Sequence, residues 1–132
     1  DISRPVLKVA AEAVYDRAQI KDIPEALRHR FLLSSRNDDG VYRIVPELRR
    51  RSTWRQANLV SNAGIGDLKA DIAFLRNVLI YFDEQQRNQV VENVVARLRP
   101  GGFLLVGHTE GCHARRPDLE GVRPSIFREI QK

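Results

Sequence analysis

The sequence predicts an α/β fold with a parallel sheet, on three observations. Ile72-Ala73-Phe74-Leu75 is a continuous apolar run that leads into Arg76-Asn77. Phe103-Leu104-Leu105-Val106 is a second run, and it ends at Gly107-His108. Between them Val90, Val91, Val94, Val95 and Leu98 recur at helical spacing, an apolar stripe for one helix face. Short continuous apolar runs read as strands buried on both faces beneath helices. Strand, helix and strand in that order form a βαβ unit, so the two strands are expected to be parallel with a right-handed crossover.

The remaining elements follow in chain order. Ser3 or Asp1 caps a first helix with Pro5 in its first turn, and Val6, Leu7, Ala10, Ala11 and Val14 carry its spacing to about Tyr15. Asp22-Ile23-Pro24 opens a second helix, whose face continues through Leu27 and Phe31. Arg36-Asn37-Asp38-Asp39-Gly40 is turn chemistry. Val41 to Val45 reads as a strand that ends at Pro46 or lies on an edge there. Thr53 to Ala57 reads as another short strand, running up to Asn58-Leu59. Ser61 to Lys69 is a loop; its Gly64-x-Gly66 lacks the third glycine and the preceding strand of a phosphate-binding turn. Ala70 to Arg76 is the buried strand, and Asp83 with Gln86 has capping-box spacing for the next helix. Pro100-Gly101-Gly102 stops that helix, and Val122 to Ile130 holds one or two closing strands.

At 132 residues the chain has the size of one domain, and 42% hydrophobic with 30% charged residues is ordinary for a globular protein. No apolar run approaches the ~20 residues that span a bilayer, so no membrane insertion is expected. Asp1, Arg4 and Lys8 in the first ten residues do not suit a signal peptide. The single Cys112 cannot form an internal disulfide, which suits a reducing cytoplasm. The chain has no methionine and begins with Asp, so it reads as a fragment, a processed product or a trimmed piece. The net charge of +5 is concentrated visibly in Arg49-Arg50-Arg51, with Trp54 and Arg55 close behind. Such a cluster can contact nucleic acid. Without a recognised nucleic-acid motif it reads instead as a solvated face, and no nucleic acid is expected as partner.

In α/β folds ligands bind at the carboxyl ends of the strands, where Arg76, Asn77 and Tyr81 stand. The alternative is that Asn77 shapes a turn and Tyr81 caps the core. His108, Glu110, Cys112 and His113 are metal-ligand types, but their spacing differs from that of zinc sites, and no metal is expected.

Three segments together resemble the CheR-type chemotaxis methyltransferases. They are Ala70-Asp71-Ile72-Ala73-Phe74-Leu75-Arg76-Asn77-Val78-Leu79-Ile80-Tyr81-Phe82-Asp83, Leu98-Arg99-Pro100-Gly101-Gly102-Phe103-Leu104 and Gly107-His108-Thr109-Glu110. Upstream, Asp1-Ile2-Ser3 resembles the acidic end of that family's second strand, and Asn58-Leu59 its cofactor-binding pair. Tyr15, the helix near Leu27 to Phe31, Gly40 to Ile44 and Pro46-Glu47-Leu48-Arg49 resemble its small inserted subdomain. The resemblance implies a partial Rossmann-like, S-adenosylmethionine-dependent methyltransferase fold with a small inserted β-rich subdomain. Residues 1–18 and 58–132 would form the body, and 19–57 the insertion.

The implied reaction transfers a methyl group from S-adenosylmethionine to a glutamate side chain of a chemoreceptor. It would give a glutamyl methyl ester and S-adenosylhomocysteine. A glutamate with a pKa near ~4.3 is already ionised at neutral pH, so no general base is required. Alignment of the reacting atoms, which can contribute roughly 7–11 kcal/mol, becomes the main task. By resemblance Asp1 would accept hydrogen bonds from the ribose hydroxyls, and Asn58 and Leu59 would hold the adenine end. Arg76 and Asn77 would line the cofactor pocket, Arg76 also serving the catalytic centre. Tyr81 would lie by the methyl and position the acceptor. The implied partner is the cytoplasmic domain or the carboxyl-terminal tail of a chemoreceptor.

The family's glycine-rich first loop, its first strand and its upstream helical domain would all lie before Asp1. The family often has an arginine just after a Tyr-Phe pair in the insertion, where this chain reads Arg30-Phe31-Leu32-Leu33-Ser34. Two alternatives stay open beside the enzyme. One is a non-catalytic module that binds a receptor tail by strand addition; the other is a basic nucleic-acid binder.

Overall fold

A computed structural model describes residues 1–37, 40–114 and 116–130. The chain divides into two compact units, Asp1–Gln56 and Ala57–Lys132. Residues 1–18, which the sequence reading joins to 58–132, lie in the first unit.

The first unit opens with α1 (Arg4–Glu12), capped by the Ser3 hydroxyl, which accepts from the Val6 amide. The helix stops at Ala13, whose φ of 54° is left-handed and whose amide closes the last turn on Val9. It is therefore shorter than its spacing suggests, and Tyr15 belongs to a strand, β1 (Val14–Asp16). Asp16 and Gln19 then form a capping box for the short α2 (Arg17–Ile20). Next come α3 (Glu25–Phe31), β2 (Leu32–Ser34), β3 (Val41–Ile44) and α4 (Pro46–Arg50). The three strands make an antiparallel sheet in the order β1-β3-β2. β3 ends before Pro46, which starts α4, where a missing N–H costs nothing. The expected turn from Arg36 to Gly40 includes Asp38 and Asp39, which lie outside the described residues. The strand expected at Thr53–Ala57 does not form. Among the described residues no sheet pairing reaches them, and local β-propensity is insufficient without a neighbour.

In the second unit β4 (Ala70–Leu75) leads through a 3-10 turn (Leu79–Tyr81) into α5 (Glu84–Val95) and then β5 (Leu98–Val106). β4 and β5 are parallel, with Ile72 opposite Phe103 and Leu75 opposite Val106, so the βαβ unit forms as expected. A second 3-10 turn (Gly111–Ala114) precedes β6 (Leu119–Arg123) and β7 (Ile126–Glu129), which pair antiparallel. The four strands run in the order β4-β5-β7-β6. Mixed sheet and crossover helix make this the partial α/β fold that the sequence predicts.

Asp83 and Gln86 form the expected capping box of α5, the two bonds being 2.8 and 3.2 Å long. The helix ends at Val95, five residues before Pro100. Pro100-Gly101-Gly102 are not its stop; they lie within β5, where the pairing register jumps between Ala70 and Ile72. Gly102 is required there, because a Cβ would stand 2.9 Å from the Arg99 carbonyl and 3.0 Å from that of Asp71.

Val90, Val91 and Val95 of α5 pack with Leu75, Leu79, Leu98, Leu104, Val106 and Phe127 in one core on one face of the sheet. β4 is not buried on both faces as its composition suggests. Ile72 is 53% and Phe74 69% exposed. Among the described residues one helix layer covers this sheet, and β4 pairs with β5 alone. A continuous apolar run specifies a strand suited to two covered faces; whether both are covered depends on what else packs there.

Candidate functional site

The carboxyl end of β4 is organised by a turn in the backbone. Asn77 takes a φ of 57°, the left-handed region that Asn tolerates better than most residues. The turn aims the consecutive amides of Asn77, Val78 and Leu79 at one point, a concave nest suited to an anion. The anion is the Glu110 carboxylate. Its Oε2 accepts from Asn77 at 2.9 Å, and its Oε1 from Val78 at 3.0 Å and Leu79 at 2.8 Å. A fourth amide, that of Gly107 at the end of β5, donates to Oε2 at 2.8 Å. Glu110 is only 1% exposed. Burial pushes its pKa up, but the amide bonds from Asn77, Gly107, Leu79 and Val78 outweigh that and hold it below the ordinary carboxylate value. Gly107 must be glycine here, since a Cβ would collide with Glu110 Oε2.

With the backbone turned inward, the side chains of Arg76, Asn77 and Tyr81 face outward. All three are exposed, Tyr81 at 79%. They thus share one strand end, as the sequence predicts. Tyr81 does not cap the core. Asn77 does shape the turn, which leaves its side chain available at the same edge.

Asn58 and Leu59 lie in the loop before β4. Asn58 Oδ1 accepts from the Val60 amide at 2.9 Å and the Ser61 amide at 3.1 Å, an Asx turn. Leu59 and Val60 pack against the same core as Val78 and Phe82. Asp1 belongs to the first unit, where its Oδ1 accepts from the Ser3 amide at 2.7 Å at the start of α1.

The helix α5 anchors these loops through side chains that periodicity does not flag. Buried Asn93 donates to the carbonyls of Leu59 at 2.8 Å and Val60 at 3.1 Å. Arg87 Nε donates to the Leu79 carbonyl at 2.9 Å. Arg97 donates to Gly66 at 3.2 Å and to Asn93 at 2.7 Å. The available signal was Asn93 itself, a polar residue set among the valines of an otherwise apolar stripe.

Residues His108 and Cys112 border a separate concavity with Arg116, Arg123 and Phe127. Among the described residues no group of three or more His, Cys, Asp or Glu converges on a point suited to a metal ion. The basic cluster of the first unit is partly engaged. Arg49 Nε donates to the Ile44 carbonyl at 3.1 Å, and Arg51 pairs with Glu47 at 3.0 Å. Among the described residues no helix is long and apolar enough to cross a membrane.

A family model described as CheR methyltransferase, SAM binding domain, matches residues 1–125. A chemotaxis protein methyltransferase 2 of Vibrio cholerae serotype O1 is 34% identical over 111 residues, 83% of this chain and 38% of that protein. Another, from Pseudomonas aeruginosa, is 37% identical over 111 residues, 83% of this chain and 40% of its own length. A chemotaxis protein methyltransferase of Borreliella burgdorferi is 30% identical over 129 residues, 98% of this chain and 44% of its own length. The chain spans less than half the length of each of these relatives.

Proposed function

Because the chain belongs to the CheR methyltransferase family, we propose that it is the part of a chemotaxis methyltransferase that holds S-adenosylmethionine beside the acceptor. The reaction is methyl transfer to glutamate side chains of chemoreceptors, giving glutamyl methyl esters and S-adenosylhomocysteine. One observation carries this reading: the family match spans residues 1–125, and within it Arg76, Asn77 and Tyr81 stand exposed at one strand end.

S-adenosylmethionine supplies an electrophilic sulfonium methyl. Residues of the chain bind and orient. Asn58 Oδ1 is committed to Val60 and Ser61, so its Nδ2 is the group that donates to an acceptor nitrogen of adenine. Leu59 offers partly buried apolar surface beside it. Arg76 and Asn77 line the pocket. Tyr81 aligns the acceptor carboxylate, which is ionised at neutral pH and needs no base. Asp1 serves the ribose hydroxyls, a carboxylate being able to accept two hydrogen bonds.

In the whole protein, residues 1–18 and 58–132 form the methyltransferase body and 19–57 the insertion. A further strand pairs with the bare edge of β4, and a further layer packs on its outer face, where Ile72 and Phe74 are exposed. The partner is the cytoplasmic domain or tail of a chemoreceptor, and the compartment is the cytoplasm. β1 and β2, the outer strands of the small sheet, each offer an edge to which an extended receptor tail can add.

Incubation with methyl-tritiated S-adenosylmethionine and a chemoreceptor cytoplasmic domain tests the proposal. The expected result is alkali-labile label on receptor glutamates, reduced by Tyr81→Phe more than cofactor affinity is. Label that appears on lysine or nucleic acid instead, or label unaffected by Tyr81→Phe, would contradict it.

A further inference from the structure

We propose that Glu110 is a positioning residue for cofactor binding. Its buried carboxylate fixes the backbone of residues 76–79 in the conformation that takes S-adenosylmethionine. The inference rests on the reading that this strand end is the cofactor edge.

The argument begins with cost. A carboxylate that is 1% exposed is expensive unless every oxygen is satisfied. Here both oxygens are satisfied, among the described residues, by four backbone amides. Three amides come from the end of β4 and one from the end of β5, so a single side chain ties two neighbouring strand ends. Amides of the Asn77–Leu79 turn would otherwise point into a water-poor interior with no acceptor.

The conformation being held is also one that needs holding. Asn77 at φ 57° is outside the region most side chains adopt, and such positions persist where the surroundings over-determine them. Glu110 supplies that determination from behind. The bonds it accepts from Asn77, Val78 and Leu79 are to backbone amides, so Arg76, Asn77 and Tyr81 keep their side chains for a ligand. An apolar residue at position 110 would fill the space without directing these amides. Gly107 completes the device by clearing room for Oε2.

Glu110→Gln in the 132-residue chain is the test, read by residue-resolved amide exchange and by titration with S-adenosylhomocysteine. Glutamine offers one acceptor oxygen and presents an NH2 to donors, so the four-amide pattern cannot be kept. Expected are faster exchange at Asn77, Val78, Leu79 and Gly107, unchanged exchange in α5, and affinity lower by about tenfold or more, the loss of one such bond. A merely structural role would speed exchange in α5 and the rest of the core together. Should Glu110→Gln unfold the unit, Glu110→Asp, a methylene short of the nest, is read in the same way. Unchanged exchange at the four amides overturns the inference alone. Loosened amides with unchanged affinity also overturn it. If the wild-type chain itself fails to bind S-adenosylhomocysteine, this inference falls together with the function proposed above.

Discussion

Glu110 and Gly107 set the tolerance of the site to substitution. Gly107→Ala places a methyl group against Oε2 of a carboxylate that four amides hold still, so neither partner can retreat. Overpacking of this kind costs typically 1–3 kcal/mol, about the loss expected in denaturant midpoint measurements. The acid limb of stability follows from the same carboxylate. Its folded-state pKa lies below its unfolded value. Its contribution is therefore present above the unfolded pKa and is lost as pH falls through the folded one. Unfolding free energies measured from neutral to acid pH are expected to fall more steeply in wild type than in Glu110→Gln. Parallel curves would remove Glu110 from that role. Part of this was legible in the sequence. Gly107-His108-Thr109-Glu110 stands out as a motif, and Asn77 after an apolar run suggests a turn. That the two meet was not legible, because bonds from Glu110 to residues 77–79 cross more than thirty positions and leave no periodic trace.

The helix α5 is the element on which the loops depend. Its start is readable from Asp83 and Gln86, because a capping box is a local pattern. Asp83→Ala is expected to lower stability by about 1 kcal/mol, measured as a shift in thermal midpoint. Its end is not marked locally, because Ala96-Arg97 carries no glycine stop, while the conspicuous Pro100-Gly101-Gly102 serves a strand irregularity instead. Asn93→Leu tests the anchoring role. It keeps the apolar packing but leaves the carbonyls of Leu59 and Val60 without their donor, a loss of roughly 1–3 kcal/mol. Affinity for S-adenosylhomocysteine is expected to drop with it. A variant as stable and as tight-binding as wild type would show that the loop holds its shape unaided. The missing strand at Thr53–Ala57 belongs to this scale too: Thr53 and Trp54 have β-propensity, but among the described residues no neighbouring strand pairs with the segment.

For the molecule as a whole, the parallel βαβ unit and the resemblance to a family were readable, whereas the number of layers was not. β4 carries the composition of a strand covered on both faces, yet Phe74 is 69% exposed. Phe74→Ser is therefore expected to change the stability of the 132-residue chain by less than about 0.5 kcal/mol, as surface changes do. In a longer protein that covers this face, the same change should cost several times more. A large loss in the chain alone would mean that the face is already covered. The central claim concerns the carboxyl end of β4, and backbone chemical shifts recorded during titration with S-adenosylhomocysteine test it most directly. Saturable shifts at Asn58, Leu59 and Arg76 to Tyr81 are predicted. Saturation that leaves those residues unmoved, or moves only Arg49 to Arg55, would contradict it.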